Sequence, residues 1–494
     1  MEEKKTVRFK LERHKWPDEI EAEKKKKRKK LYSILLCVIC FGGGMLFANS
    51  NILSFSAKQG ELDKLTQIYD VLLNKWYFGK NIDELDMKLI DQAIYGMVEG
   101  TGDIHTSYMD VETAKDFTSS LEGNFVGIGV QFYAVNPSVF MVDRVFPNSP
   151  AQEVGIIKGD QIYKVNGTVC ENMTLEDVAN LVKGDEGSSV SIEIIREGNK
   201  IALEVERREV SNSVFGEIKE DVGVMEIYSF SETSGNEVGN YLKTFKEQKI
   251  EKLVIDLRDN GGGYLNAVRD IASYFLPENT VIFKEENKQG DIKEYRTLPS
   301  HPFYTFDQIV VLINQNTASA SEVLTAALKE YKDIRIVGVK SYGKGTVQVP
   351  LLLNDGSIFK YTTAQWLTPN GNKINGVGIS PDDEIKLDEA LTIGGISLSE
   401  EERYEADTVS RAARFVQTYL KFLGYNVDRN DEYFSLQSSQ ALRSYQQDMD
   451  LEADGVISDK TVASLLSSCA KKWREEKSVL DVQMKKAMEV VHGR

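Results

Sequence analysis

The stretch Asn314-Gln-Asn-Thr-Ala-Ser-Ala-Ser-Glu322 follows an apolar run over residues 308–313 and opens a helical run that lasts to Tyr331. An apolar run of strand length, a polar turn and then helical periodicity make a strand–helix unit. The succession repeats at Asp256-Leu-Arg-Asp-Asn-Gly-Gly-Gly263, after apolar residues 253–257 and before a helical run over 264–275. Strand-like pieces at 222–227 and 335–338 and a helical run at 235–248 continue the alternation. Strands alternating with helices predict an α/β core over residues 208–397.

Outward from that core the pattern changes. Residues 116–207 read as a β-rich module, with strand-like pieces at 126–132, 139–145, 161–165, 190–196 and 201–207 and one helical piece at 175–183. Residues 57–115 carry helical periodicity at Leu62, Leu65, Ile68, Leu72, Leu89, Ala93 and Met97. A charged segment at 397–407 reads as a linker, 404–468 as a small helical module and 469–494 as a charged helical tail. The expected fold is therefore multidomain, α/β and α+β, with the C-terminal region 404–494 removable from the core.

A chain of 494 residues is too long for one core. The net charge is −16, but residues 1–30 hold thirteen Lys/Arg against seven Asp/Glu, so the remainder carries about −22. An acidic body argues against nucleic acid as a partner. The four cysteines have neither disulfide-framework nor metal-ligand spacing. The four histidines are scattered, so no metal site and no cofactor is expected.

Residues 31–48, LYSILLCVICFGGGMLFA, hold no charge and follow a basic run at 24–30. That length suits a short membrane span, and basic residues before it predict a cytoplasmic N-terminus and an extracytoplasmic body. A cleaved signal peptide is the alternative.

Ser149-Pro-Ala-Gln-Glu-Val-Gly-Ile-Ile-Lys-Gly-Asp-Gln-Ile-Tyr-Lys-Val-Asn-Gly167 closely resembles a PDZ domain. The resemblance implies that a substrate C-terminus adds as a strand. The carboxylate loop would then be Phe125, Val126, Gly127, Ile128, Gly129 and Val130. Lys183, before Gly184, reads first as a solvated surface side chain; the alternative is that it stands where related proteins carry a peptide-sensing arginine.

Taken singly, the glycine triplet 261–263 reads as a turn, Ser319 as a helix cap and Lys344 as a solvated side chain. Together with Ser341-Tyr-Gly-Lys-Gly-Thr-Val-Gln348, Thr362-Thr-Ala-Gln-Trp-Leu-Thr-Pro-Asn-Gly371 and Gly376-Val-Gly-Ile-Ser-Pro-Asp382, they resemble the carboxyl-terminal processing (tail-specific) serine proteases over residues 60–395. The resemblance makes Ser319 the nucleophile, although Thr317 replaces the first serine of the family's S-A-S-A-S-E run. It places the catalytic lysine at Lys344 and its glutamine partner at Gln348.

The chemistry suits these residues. A serine hydroxyl needs a base, and a lysine serves only when neutral, which burial favours. The strand flanks of Lys344 are the expected source of that burial, with Gln348 orienting the amine. The tetrahedral oxyanion needs backbone donors, for which the Ala320 N–H and that of Gly263 or Gly262 are candidates. Ser321 is a weaker alternative nucleophile. His105, Glu322 and Asp256 read as structural, and Arg258 as a residue that fixes the glycine loop.

Residues 412–425, 439–446 and 453–465 resemble a three-helix peptidoglycan-binding module, with a helical packing or dimerisation domain as the alternative. The expected partners are protein substrates met through their C-termini, cell-wall peptidoglycan and the membrane. A homo-oligomer is compatible with the sequence but not specified by it. A non-catalytic scaffold of PDZ and wall-binding modules is the alternative function.

Overall fold

The computed structural model describes residues 59–493 apart from Gly123, Pro137, Asn212, Ser300, Asp333, Ser397 and Glu400. The membrane segment expected at 31–48 lies outside these residues. Among the described residues no helix is long and apolar enough to cross a membrane.

The chain divides into two units, 1–93 and 94–494. Within the first, the helix Gln59–Lys75 confirms the periodicity, yet Leu62, Leu65 and Ile68 remain exposed.

The core of the second unit is a six-stranded sheet. Its order is Val214–Lys219, Val222–Ile227, Lys252–Asp256, Gln308–Ile313, Arg335–Gly338, Asp383–Glu384, all parallel after an antiparallel first pair. Strands buried on both faces read as continuous apolar runs, as 253–257 and 309–313 do. Alternation still sorts the side chains. Leu253, Ile255, Val311 and Ile313 face the helices Ser234–Glu247, Leu265–Phe275 and Ala320–Tyr331. Val222, Val224, Val254, Val310, Leu312 and Val337 face the other way, and Ala487 and Val491 of the terminal helix Val482–Val491 cover them.

Within the expected tail, Val482–Val491 thus covers one face of the core, which counts against the expectation that 404–494 can be removed without harm to it. Its charged composition hid an apolar stripe of Met484, Ala487, Met488 and Val491. The linker reading of 397–407 also gives way. Leu398 is buried in the C-terminal module, and Tyr404 forms a bridge with Ile457.

A second, antiparallel sheet was foreshadowed in the sequence only by the strand after Lys344. It joins Ser107–Met109, Ile358–Leu367, Val281–Asn287 and Ile292–Arg296, with Thr346–Leu352 also paired to Ile358–Leu367.

The PDZ-like module has its own sheet, in which Val130–Asn136 is an outer strand, and a helix at Leu175–Val182. The run expected at 126–132 is split, because Gly129 takes φ +80° where a Cβ would lie 2.2 Å from that of Ser149. Its first part, Asn124–Gly127, pairs with Arg208–Ser211 as a two-stranded stalk. The helices Arg411–Leu423, Leu436–Asp448 and Asp459–Leu480 form the C-terminal module around Phe415, Leu420, Phe434, Leu442, Tyr445 and Val462.

Candidate active site

Ser319 stands between the strand Gln308–Ile313 and the helix Ala320–Tyr331 at φ 56°, ψ −117°. A non-glycine residue at positive φ stores about 1–3 kcal/mol of strain, and such strain gathers at functional sites. The sharp strand-to-helix turn leaves Ser319 half-buried while its neighbours Ala318 and Ala320 are buried. The turn is braced against the glycine loop. Thr317 Oγ1 donates to the Leu257 carbonyl at 2.8 Å, and the Ala318 N–H and Ser321 Oγ donate to the Asn260 carbonyl at 3.0 and 2.9 Å. The Ser321 hydroxyl is therefore engaged and fully buried.

Glu322 is fully buried. Its Oε2 accepts the backbone N–H of Ser319 and of Lys344, each at 2.9 Å. Its Oε1 accepts from the Ser341 hydroxyl at 2.5 Å and the Gly343 N–H at 2.7 Å. Reading Glu322 as a helix-start residue holds, but its larger effect is to join the serine turn to the lysine loop. Buried charge is tolerated when fully hydrogen-bonded in this way.

Lys344 is half-buried, and burial followed by the nearby charge of Lys360 lowers its pKa. The strand that follows, Thr346–Leu352, is only half-buried to exposed along its length, and chain distant in sequence packs against the lysine loop. Trp366 Nε1 donates to the Lys344 carbonyl at 2.8 Å, and a Cβ on Gly345 would lie 2.4 Å from the Asn375 nitrogen. Among the described residues no hydrogen bond joins the Ser319 hydroxyl to the Lys344 amine; such catalytic contacts often tighten only when substrate binds.

Gln348 Nε2 donates to Thr346 Oγ1 at 2.7 Å, and Thr346 Oγ1 meets His105 Nδ1 at 2.9 Å. Gln348 thus turns toward Thr346 and not toward the amine. His105, read as structural, sits beside the lysine loop, where burial and then the charge of Lys344 lower its pKa. Its only signal in the sequence was an isolated loop histidine.

Among the oxyanion candidates, Ala320 opens its helix, so its N–H lacks an intrahelical partner. A Cβ on Gly262 would lie 3.0 Å from the Ala320 nitrogen and 2.8 Å from the Ser319 Cβ, so glycine keeps this space open. The Gly262 N–H is engaged by Asn260 Oδ1 at 2.8 Å. Gly262 O and Tyr264 N bond to Phe230, which turns the Gly263 N–H to the opposite side of the loop.

Arg258 does not bond the glycines. Its guanidinium is gripped by Asp256, Asp481 and Gln483.

In the PDZ-like module, Phe125, Val126 and Gly127 belong to the stalk ladder. Ile128 and Gly129 form the turn before the outer strand, with the Ile128 side chain buried in the module's core. Lys183 ends the helix, its N–H bonded to the Ala179 carbonyl. Arg207, missed in the sequence, donates to the carbonyls of Leu181 and Val182 at 3.2 and 2.7 Å and lies over Gly184. A cleft of about 480 Å³ at the stalk, lined by Asn148, Glu209, Val214, Tyr228 and Tyr241, does not include Ser319 or Lys344.

A strained serine at a strand-to-helix turn, a partly desolvated lysine and an adjoining glycine loop define a serine-type hydrolase core carrying a PDZ domain. Sequence comparison bears this out. Residues 221–385 match peptidase family S41, residues 141–196 a PDZ domain, 410–465 a peptidoglycan binding domain and 48–113 the activating protease CtpB N-terminal domain. The chain is 32% identical over 467 residues to carboxy-terminal processing protease CtpB of Bacillus subtilis (strain 168), covering 90% of this chain and 95% of that one. It is 31% identical over 475 residues to CtpA of the same organism, covering 94% and 99%. Among solved structures it resembles a photosystem II D1 C-terminal processing protease, at 25% identity and TM-score 0.41 over 65% of this chain and 92% of that one. The chain belongs to peptidase family S41 and is a carboxy-terminal processing serine protease with a PDZ domain.

Proposed function

We propose that Ser319 is the nucleophile and Lys344, in its neutral form, the general base of an endopeptidase that works through an acyl-enzyme. The observation that carries this reading is the Glu322 carboxylate, which holds the Ser319 and Lys344 backbones from one oxygen. The Ala320 N–H and the Gly263 N–H are the oxyanion donors, and Gly262 keeps their approach open. Gln348 acts through Thr346, setting the strand beside Lys344.

Substrates are extracytoplasmic proteins met through their C-termini. The outer strand Val130–Asn136 is the edge to which an extended C-terminus adds, with the Ile128 and Gly129 turn near its carboxylate and Lys183 at the end of the module's helix. Peptide binding there shifts a resting site to an active one. Residues 31–48 hold the chain in the membrane with residues 1–30 in the cytoplasm, and the C-terminal module touches peptidoglycan.

The test is cleavage of casein and of one reporter with and without an apolar C-terminal tail. Ser319→Ala and Lys344→Arg should both abolish cleavage, since arginine stays protonated. Robust activity of the arginine variant would remove lysine as base. Equal rates on the two reporters would remove the PDZ domain from substrate selection. Wild-type protein that binds C-terminal peptides but cleaves nothing would favour the scaffold reading.

A further inference from the structure

The last two helices are anchored at both ends. Asp459–Leu480 lies against the PDZ domain, where Ser467 Oγ donates to the Gly159 carbonyl at 2.7 Å and Lys471 pairs with Glu197 at 2.9 Å. Val482–Val491 closes the protease sheet. Between them stands Asp481, only 3% exposed.

Asp481 Oδ1 caps the terminal helix through the Met484 N–H at 3.0 Å. The same carboxylate accepts both ends of the Arg258 fork, Nη1 at 2.7 Å and Nη2 at 3.0 Å. Asp256 takes the other side, from Nε at 3.0 Å and Nη2 at 2.7 Å, and also the Arg258 backbone N–H at 3.0 Å. Burial raises the Asp256 carboxyl and Glu226 adds to this, against the pull of Arg258. Asp481 is thus the second anion of a buried guanidinium, and without it two charge-assisted hydrogen bonds go unmade.

Arg258 begins the loop whose far end is Gly262 and Gly263. Asn260, two residues on, accepts the Ala318 N–H and presents Oδ1 to Gly262. A carboxylate 223 residues away in sequence therefore holds the strand end from which the glycine loop and the nucleophile turn are braced.

We infer that Asp481 is a positioning residue of the peptidase site: through its contact with Arg258 it holds the glycine loop in register with Ser319. The inference rests on the oxyanion reading given above.

The test uses the full chain, one peptide reporter and a fluorophosphonate label to count competent sites. Asp481→Asn keeps the size and the capping oxygen but removes the charge. Its kcat per labelled site should fall about 10- to 100-fold, as for a small misplacement of catalytic groups. KM should stay within about twofold, because substrate binding is not touched. Val491→Ala loosens the same helix away from Arg258, and should lower Tm while keeping kcat per labelled site. Should Asp481→Asn give no folded protein, Asp481→Glu, which keeps the charge but displaces it, decides on the same readout. The inference is overturned if the Asp481 variant keeps wild-type kcat per site, or if kcat falls equally in Val491→Ala. Labelling and turnover that survive in Ser319→Ala would instead remove the reading of the site, and that result appears without any change at Asp481.

Discussion

Ser319 and Lys344, 25 residues apart, hang by their backbone N–H groups from the same oxygen, Oε2 of Glu322, at 2.9 Å each. Glu322→Gln keeps the shape but turns one acceptor oxygen into a donor. At least one buried N–H then faces another donor, at about 1–3 kcal/mol for each unsatisfied group. The variant should lose most of its turnover and melt earlier. Wild-type kcat in a folded glutamine variant would show that the shared carboxylate does not set the geometry.

Burial and Lys360 both disfavour the Lys344 ammonium. In the proposed mechanism the neutral amine is the base, so activity should rise with pH through a pKa below the ordinary lysine value. Lys360→Gln removes a like charge, which raises the Lys344 pKa and moves this limb to higher pH. A pH–rate profile of the two proteins checks the direction; an unchanged or downward-shifted limb would contradict it.

Gly262→Ala should place a methyl against Ser319 and in front of the Ala320 N–H, at a φ of +107° that side chains rarely adopt. Blocking one oxyanion donor costs about 10²- to 10³-fold in kcat. Single-turnover acylation kinetics would detect this; an active alanine variant would move the oxyanion site elsewhere.

Removing residues 482–494 should expose Val222, Val254, Val310 and Leu312. An uncovered sheet face predicts aggregation, not a soluble active enzyme. The pH response has two sides. His492 is raised by its hydrogen bond to Asp221 and then that to the Met488 carbonyl, so its contribution is complete below its ordinary pKa and is lost as pH rises through the raised value. Burial alone would raise Asp481, but Arg258 holds it below the ordinary carboxylate range, so its contribution fades as pH falls through that lowered value. Hydrogen exchange of the terminal helix should show greatest protection between these limits; monotonic protection across the range would refute the pairing.

A fragment starting near Lys58 should cosediment with purified peptidoglycan at low salt, and reporters at the two termini of the whole protein should lie on opposite sides of the membrane. Failure to sediment would leave the C-terminal module as a packing domain, the part it already takes against the PDZ domain through Val135, Val139 and Met141.

Much was legible from local pattern. Apolar runs of strand length and helical periods depend on near neighbours, so the strands Val222–Ile227, Gln308–Ile313 and Arg335–Gly338 and the helix Ala320–Tyr331 came out close to their observed bounds. The serine, the lysine and the glycine loop lie in motifs whose residue types are set by the chemistry. The sequence by itself therefore determined the alternating core, the PDZ domain and the C-terminal helices, and it supplied the motifs on which the proposed site rests. What it left open depends on pairs of groups far apart along the chain. The loop that carries Lys344 is held by Trp366 and Asn375, the grip on Arg258 comes from Asp481, and the charged tail became a structural layer because its few apolar residues meet one sheet face. Only the tertiary structure decided these, since desolvation and ion pairing follow distance in space and leave no period in the sequence.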